Sequence, residues 1–255
     1  MNFGTGFSTG ALALRRRQLS GFSPLSLSPT GLFDPAVTGA LFQDSARTTA
    51  ISGDGSEIGC MADLSGNGND LLQADIASKP LYRTDGTLHW VAGDGIDDYL
   101  EVSALPVSGT HTIVCAANVT FSANGNASLI SMNAANDYQL DAEATGEYRL
   151  RLSATNLGTS VPSTTSRAGA RHVYALSFDA AAGVVTCRVD GVQVWQDIGY
   201  NGALDSVQSF KLLANRGAFA HVTSDVYFLA IWNGASQEDI VQAEIYAAGK
   251  AGIPL

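Results

Sequence analysis

Oxygen-bearing side chains recur at alternate positions between residues 63 and 69. They are Asp63, Ser65, Asn67 and Asn69. This spacing is typical of the front half of a Ca²⁺-binding loop, because calcium takes carboxylate, hydroxyl and amide oxygens as ligands. Ala74 stands where an EF-hand has its bidentate Glu, and no helix pair flanks the series. The pattern predicts either a Ca²⁺ site completed by backbone carbonyls or a Gly/Asn turn closed by its own side chains, and we favour the turn.

A second pattern of chemical interest is Gln139, Asp141 and Glu143 on one predicted strand. Some glycosidases carry Glu-x-Asp-x-Glu on one strand face, with the first Glu as the nucleophile. A retaining mechanism needs two carboxyl groups about 5 Å apart, and Gln139 removes one of them. The pattern therefore predicts an inactive site or the chance alternation of an exposed strand, and we expect no enzyme.

Sugar binding is the site chemistry that the remaining residues favour. Carbohydrate sites combine aromatic rings with amide, carboxylate or guanidinium groups, and sandwich domains place such groups on the loops at one end. Each candidate is an aromatic, amide or guanidinium side chain in or beside a predicted loop. The candidates are Asn136, Tyr138, Tyr200, Asn201, Asn215 and Arg216.

Other catalytic and cofactor chemistries find no matching motif. The four histidines are not associated with a GxSxG elbow or a reactive-cysteine signature. GTGFSTG at 4–10 resembles a phosphate loop, but no strand is predicted before it and no helix after it. No Cys/His cluster has zinc-ligand spacing. We predict no catalytic residues and no cofactor apart from a possible Ca²⁺.

Composition excludes several classes of partner. The formal net charge is −10, whereas a nucleic-acid binder needs clustered Lys and Arg for its phosphate contacts. Arg15–Arg17 is the one basic cluster, and we interpret it as a solvated patch near a flexible end. No apolar run is long enough to span a bilayer, so we predict no membrane insertion.

The cysteines indicate a reducing compartment. Cys60, Cys115 and Cys187 cannot form a fully paired disulfide framework, and there is no CxxC motif. Two of them occupy inward strand positions and are expected to be small buried hydrophobes. The charge of the N-terminal segment follows its weakly apolar part, the reverse of a secretory signal, so none is predicted.

The element that is predicted most strongly is a hairpin between His172 and Trp195. Asp190-Gly191 is a two-residue turn of type I′, which needs positive φ at both positions. With this turn Val189 faces Val192, Cys187 faces Val194, and Thr186 faces Trp195. Val192 and Val194 then lie on the core face together with Val185, Cys187 and Val189, while Arg188 and Gln193 point outward.

Further strands follow at intervals of roughly ten residues, which predicts an all-β sandwich or barrel. Residues 112–121 alternate cleanly, 137–153 form a hairpin about Thr145-Gly146, and 207–214 is another strand. Residues 225–232 are apolar on both faces, which is typical of a central strand covered on each side.

A helix is predicted near the C-terminus, after a capping-box-like start at Ser236 and Asp239, with Gly249 as its stop. Residues 1–30 are rich in Gly, Ser, Thr and Pro and predict an extended arm. The domain organisation expected is an arm over 1–30 and a sandwich with its helix over 31–255.

An ordered set of motifs carries a family resemblance over about residues 41–248. The motifs are LFQDSARTTA at 41–50, ADLSGNGNDLLQADIASKPLYR at 62–83, VAGDGIDDYLEV at 91–102, HVYALSFDAAAGVVTCRVDGVQV at 172–194 and DVYFLAIWNGASQEDIVQAEIY at 225–246. Together they resemble the laminin-G-like (LamG), concanavalin A-like jelly-roll modules of tailed-phage virion proteins. The resemblance implies a two-sheet antiparallel jelly-roll sandwich with an N-terminal arm and a short C-terminal helix.

The resemblance also implies a function, namely a non-enzymatic component of a phage or of a phage-like particle such as a gene transfer agent. The location implied is a head spike or a tail fibre on the particle surface, after assembly in the bacterial cytoplasm. The arm would bind other virion proteins, the sandwich would bind host surface polysaccharide, and a homotrimer is possible. Two alternatives stay open, a purely structural decoration or spike-base protein and a glycan-degrading enzyme.

Overall fold

The structure is a computed structural model that describes residues 21–120, 127–133, 138–142, 148–152, 169–199, 208–215, 218 and 220–255. The regular secondary structure of the described part is almost entirely β-strand, with one α-helix. The strands are β1 (Gly31–Phe33), β2 (Leu41–Phe42), β3 (Cys60–Met61), β4 (Leu71–Leu72), β5 (Leu81–Thr84), β6 (His89–Asp94), β7 (Leu100–Leu105), β8 (His111–Thr120), β9 (Ala127–Asn133), β10 (Tyr138–Ala142), β11 (Tyr148–Leu152), β12 (Arg171–Asp179), β13 (Val184–Val189), β14 (Val192–Ile198), β15 (Gln208–Leu212) and β16 (Thr223–Trp232). The α-helix is α1 (Gln237–Ala251), and short 3₁₀ helices lie at Pro24–Leu27, Thr38–Ala40 and Ile76–Ser78.

The strands form two eight-stranded antiparallel sheets. The first sheet has the order β14-β13-β12-β8-β16-β6-β5, and β1 also pairs with β16. The second sheet has the order β11-β10-β9-β15-β7-β4-β3-β2. Four of the seven neighbouring pairs in the second sheet are consecutive in the chain, whereas β9-β15, β15-β7 and β7-β4 are not. The chain between the members of these three pairs contains strands of the first sheet. The predicted two-sheet sandwich with a C-terminal helix is confirmed.

Alternation along β8 shows how the core between the sheets is built. On β8, Ile113, Cys115, Ala117 and Val119 are buried in it, as the pattern predicts. Val114 and Ala116 alternate with them and face the opposite side, where they are also buried. A strand that is apolar on both faces must be covered on both faces, and β8 and β16 are covered in this way.

Helix α1 covers the outer face of the first sheet. Its small residues Ala243, Ala247 and Ala251 are buried against this face together with Phe228 and Trp232 of β16. The predicted central strand at 225–232 therefore lies between the sandwich core on one side and the helix on the other.

A buried ion pair joins α1 to β13. The Arg188 Nε and Nη2 atoms each donate to the Glu244 carboxylate at 2.9 Å, and Glu244 is only 1% exposed. Two parallel hydrogen bonds of this kind set the orientation as well as the distance between the partners, so they determine how the helix lies on the sheet.

The type I′ turn at Asp190-Gly191 is confirmed, with φ of 51° and 76°. Val189 pairs with Val192 as predicted, but a bulge follows and Cys187 pairs with Trp195 rather than Val194. A one-residue bulge exchanges the two faces of a strand, so Val194 is exposed and the partly buried Trp195 packs on the core. Val192 precedes the bulge and pairs as predicted, yet it is exposed as well, so its prediction as a core residue is wrong.

The end of α1 differs from the prediction. Gly249 lies inside the helix, which continues to Ala251 and ends at Gly252 with φ 65°. The Ile253 N–H donates to the Ala248 carbonyl at 2.8 Å, which is the hydrogen bond of a Schellman cap. The helix continues past Gly249 because Ala251 is fully buried under it. Ser236 is the N-cap residue, but its side chain makes no capping hydrogen bond.

Residues 21–30 lie against the helix side of the sandwich. The Phe22 ring contacts the Tyr246 ring edge to face at 6.2 Å, and Leu27 packs on the same apolar cluster. Residues 1–20 lie outside the described residues, so the boundary predicted at residue 30 stays a prediction.

Candidate functional site

The series predicted as a calcium loop is a hydrogen-bonded turn beside β1. The Asp63 carboxylate accepts from the Leu32 N–H at 3.0 Å, the Ser65 N–H at 2.9 Å, the Ser65 hydroxyl at 2.6 Å and the Asn69 N–H at 3.1 Å. Four donors therefore converge on one carboxylate, and each would have to be replaced for an ion to bind there.

The two amides of this turn point toward the segment before β1. The Asn67 side-chain NH₂ donates to the Pro29 carbonyl at 2.8 Å, and that of Asn69 donates to the Thr30 carbonyl at 2.7 Å. These contacts correspond to the turn that we favoured from the sequence. The calcium alternative stays a prediction.

One member of the glycosidase-like series has a described side chain, and it is buried. Leu140 and Asp141 are each 1% exposed, and the Ser128 hydroxyl donates to Asp141 Oδ1 at 2.6 Å. Asp141 is therefore not on an exposed face, whereas the choice between an inactive site and chance spacing stays a prediction. Gln139 pairs with Ser131 through the backbone register, and Glu143 lies outside the described residues.

The six residues predicted to bind sugar are not brought together within the described part of the chain. Asn215 is buried, 8% exposed, just after β15. The backbone of Tyr138 begins β10. The other four, Asn136, Tyr200, Asn201 and Arg216, lie outside the described residues.

A groove of about 270 Å³ opens on the outer face of the second sheet. On β7, Tyr99, Glu101 and Ser103 alternate with the core residues Leu100 and Val102, so they face away from the core. The groove is lined by Leu72, Gln73, Ala74, Tyr99, Glu101 and Ser103. It therefore offers an aromatic ring, a carboxylate, a hydroxyl and the apolar side chains of Leu72 and Ala74 to a ligand.

Strand pairing continues this face across the sheet. Leu72 of β4 pairs with Glu101 of β7, Glu101 with Lys211 of β15, and Lys211 with Ser131 of β9. Ser131 and Lys211 alternate with core residues, yet they are 0% and 6% exposed. The outer face is thus polar and largely covered beside the groove, unlike the solvated outer face of an ordinary sandwich sheet.

The groove carboxylate is held by an ion pair. The Lys211 Nζ donates to Glu101 Oε2, and the side chains are 8% and 35% exposed. Glu101 is the more accessible partner and lines the groove, whereas the Lys211 side chain is buried.

The floor of the groove is held by Gln73, which is 5% exposed. Its Nε2 donates to the Tyr99 carbonyl at 3.2 Å, and its Oε1 accepts from the Asp75 N–H at 3.0 Å. Both ends of the amide are engaged, so Gln73 positions the backbone of Tyr99.

An acidic turn lies at the end of the groove next to Tyr99. The Asp94, Asp97 and Asp98 carboxylate oxygens lie within 4.8 Å of one another. The Asp98 carbonyl is bonded to His221 Nδ1 at 3.1 Å, and the His221 ring lies 5.9 Å from the Tyr99 ring. The turn, the imidazole and the tyrosine therefore form one continuous surface.

Asp98 is the buried member of this turn, at 6% exposed. Burial raises the pKa of its carboxyl to about 6, against the hydrogen bond from the Asp94 N–H, and the charges of Asp94 and Asp97 add to the rise. The Asp94 carboxylate accepts from the Ile96 N–H at 2.7 Å, as expected for a side chain that closes a turn.

Sequence reasoning missed Glu101 and Lys211, although each leaves a signal. Tyr99, Glu101 and Ser103 are polar at every second position of an otherwise apolar strand. Lys211 is a single charge between the apolar residues Phe210 and Leu212. A lysine in such a place predicts a partner, but the sequence does not say that the partner is 110 residues away.

Solved structures share this two-sheet arrangement. A sialidase of Trypanosoma rangeli aligns with 94% of this chain and 40% of its own, with a TM-score of 0.57 and 14% identity. The binding domain of Paraclostridial Mosquitocidal Protein 1 aligns with 79% of this chain and 54% of its own, with a TM-score of 0.58 and 14% identity. The likeness defines the fold, a jelly-roll sandwich.

The chain spans about 40% of the length of the sialidase. The carbohydrate-binding module CBM40 of a Ruminococcus gnavus sialidase aligns at a TM-score of 0.43, which is too low to bear on the fold. No family model matches the chain, and no curated protein matches it. Among the described residues no helix is both long and apolar enough to cross a bilayer.

Proposed function

We propose that this chain is a non-enzymatic glycan-binding module whose sugar site is the groove on the second sheet. The observation that carries the proposal is the lining of that groove. Tyr99 offers a ring for the apolar face of a sugar, and Glu101 and Ser103 offer hydrogen-bonding groups for its hydroxyls. A volume of about 270 Å³ suits one small ligand or the end of a longer one.

The fold is compatible with this proposal. One solved structure of the T. rangeli sialidase that shares the fold holds sialic acid, and the mosquitocidal structure is described as a binding domain. A sugar is therefore a reasonable ligand class for a sandwich of this shape, although fold alone does not determine function.

The groove residues also support the absence of catalysis. Most glycosidases need two carboxyl groups flanking the bond that is cleaved. Among the described residues that line the groove, Glu101 is the only carboxylate, and it is paired with Lys211. Incubation with polysaccharide should release no product. A Gln139→Glu variant tests whether β10 has lost a nucleophile. Product release by the unmutated chain would contradict this part of the proposal.

The test of binding is a glycan array followed by calorimetry on the best glycan. Tyr99→Ala should weaken binding at least tenfold, because stacking on the ring is lost, whereas Tyr99→Phe should bind nearly as well as the unmutated chain. Ile96→Ala is the matched control, since Ile96 is 75% exposed near the groove but does not line it. Equal binding by Tyr99→Ala and the unmutated chain would show that the groove is not the site.

We further propose that the chain is a virion component of a phage or phage-like particle, anchored through residues 1–30. The ordered sequence motifs between 41 and 248 are what supports this placement. Electron microscopy of particles labelled on this chain would test it, with density on a head spike or tail fibre as the expected result. Label on particles together with an array that shows no glycan binding would favour the purely structural alternative.

A further inference from the structure

We propose that the groove selects uncharged sugars and rejects carboxylated ones such as sialic acid. This inference rests on the proposed function, because it assigns the ligand class of the same groove. The charges around Glu101 support this selectivity. The described residues that line the groove include no cation for a ligand carboxylate, and several anions lie near Tyr99.

The nearest cation is already neutralised. Lys211 donates its Nζ to Glu101, and its side chain is 8% exposed. A ligand carboxylate at the groove would meet Glu101 first, because Glu101 is the more exposed member of the pair. Two carboxylates in contact repel, and the repulsion is strong where one of them is partly buried.

The next cation along this part of the chain is also engaged. Lys79 donates its Nζ to the Gln43 carbonyl at 2.8 Å and lies 3.9 Å from the Glu57 carboxylate. Its side chain is 9% exposed, so it is held below the surface. Among the described residues that line the groove there is no Lys, Arg or His.

Negative charge extends the groove at its Tyr99 end. The Asp94, Asp97 and Asp98 side chains gather there, and His221 links their turn to the Tyr99 ring. The chain as a whole carries a formal charge of −10, so the surrounding field also disfavours an anionic ligand.

The groups that remain are those that recognise an uncharged sugar. A carboxylate such as that of Glu101 accepts from sugar hydroxyls, and the Ser103 hydroxyl can both donate and accept. Tyr99, Leu72 and Ala74 provide apolar surface for the C–H face of the ring. A carboxylate acceptor paired with sugar hydroxyls makes charge-assisted hydrogen bonds, which are stronger than those between neutral groups.

The experiment is a set of matched glycans, each measured uncharged and again with a terminal sialic acid or glucuronic acid. We expect the uncharged member of each bound pair to bind at least tenfold more tightly. Tighter binding of the carboxylated members would overturn the inference while leaving the proposed function in place. Binding of neither member of any pair would overturn the proposed function and this inference with it.

Glu101→Gln provides the second arm of the test. It removes the repelling charge and leaves the Lys211 ammonium without its partner, so binding of carboxylated members should rise at least fivefold relative to their uncharged counterparts. Asp239→Asn on α1 is the control, since it removes one negative charge on the opposite side of the sandwich. An unchanged preference in Glu101→Gln would show that the ion pair does not set selectivity. Thermal melting of each variant establishes that it is folded.

Discussion

Asp63 and Asp98 lie in two different environments in this molecule. Asp63 gathers four hydrogen-bond donors from three residues and closes a turn with them. Asp98 is more deeply buried and has two other aspartates within reach. The first arrangement fixes the shape of a turn. The second raises the pKa of Asp98, because the group is desolvated and faces like charges.

Asp98 should make the stability of the protein depend on pH. Its folded pKa of about 6 exceeds the ordinary value of 3.8, so the folded state takes up the proton first. The stabilisation is therefore complete below pH 3.8 and is lost as the pH rises through about 6. Burial also lowers the pKa of His111 to about 4, which changes stability in the opposite direction over this range, and burial raises the pKa of Asp225. The Asp98 contribution, a loss of about 1–3 kcal/mol, is therefore measured as the difference between the unmutated chain and Asp98→Asn in urea unfolding at each pH.

The matched variants for this prediction are Asp98→Asn and Asp97→Asn. Asp98→Asn keeps an acceptor for the Asp94 N–H but cannot ionise, so the loss of stability as the pH rises through about 6 should be absent from its profile. Asp97→Asn leaves Asp98 in place and should retain most of it. The same pH dependence in Asp98→Asn and in the unmutated chain would mean that another group is responsible.

Asp63→Ala should lower the free energy of unfolding by about 2–4 kcal/mol, because it leaves the donors that now bond to Asp63 without their acceptor. Asp75→Ala is the control, since that exposed carboxylate accepts a single hydrogen bond, from Ala77 N–H at 3.1 Å. Unfolding should be followed with added Ca²⁺ and with chelator. A Ca²⁺-dependent rise in stability that Asp63→Ala abolishes would establish the calcium site instead of the turn.

At the scale of elements, the docking of α1 on the first sheet depends on small residues and one ion pair. Buried alanines let the helix axis lie close to β16 and β8, and the Glu244–Arg188 pair sets its orientation. The ending of the helix is decided by this packing. Ala251 is fully buried, so the helix continues beyond the glycine at which local propensity would end it.

The two glycines of this helix end should respond oppositely to alanine. Gly249 is helical, and a Cβ there would meet no atom within 4 Å, so Gly249→Ala should stabilise by about 0.5–1 kcal/mol. Gly252 has φ +65°, a conformation that side chains disfavour, and its Cβ would lie 3.4 Å from Arg171. Gly252→Ala should destabilise by about 1 kcal/mol. Thermal melting of the two variants tests this helix end. If the helix ended at Gly249 instead, Gly249→Ala would be the destabilising variant and Gly252→Ala would not.

At the scale of the whole molecule, residues 21–30 connect parts that are distant in sequence. Phe22 contacts α1, and the Pro29 and Thr30 carbonyls accept from Asn67 and Asn69. This segment therefore joins the helix layer to the turn before β4, and it is packed rather than extended away from the sandwich.

Two deletions should separate anchoring from folding. Removal of residues 1–20 leaves every described contact of residues 21–30 in place, so the melting temperature should change little. Removal of residues 1–30 strips these contacts and should lower it by several degrees. Particle incorporation is the second measurement, and the anchoring proposal expects it to be lost in both deletions. Normal incorporation after removal of residues 1–30 would exclude the arm as the anchor.

The sequence by itself determined the local features. Alternation predicts the strand around Ile113, and a run that is apolar on both faces predicts the strand around Leu229. The Asp190-Gly191 pair predicts a type I′ turn, and an apolar stripe after Ser236 predicts the helix. These predictions succeed because side-chain periodicity and turn chemistry act between residues that are close in the chain. The bulge after Cys187 and the extension of the helix past Gly249 were not predicted. Packing of Trp195 on the core and burial of Ala251 outweigh the local preferences for regular pairing and for a helix end at glycine.

Only the tertiary structure decided where the groove proposed as the ligand site lies. Leu72, Glu101 and Lys211 come from β4, β7 and β15, which become neighbours through the order of strands in the second sheet. That order is the one that buries the apolar faces of the two sheets. The free energy of this burial depends on all the strands together, so no single segment predicts it. The groove, its neutralised lysine and its acidic end exist only once distant strands have paired.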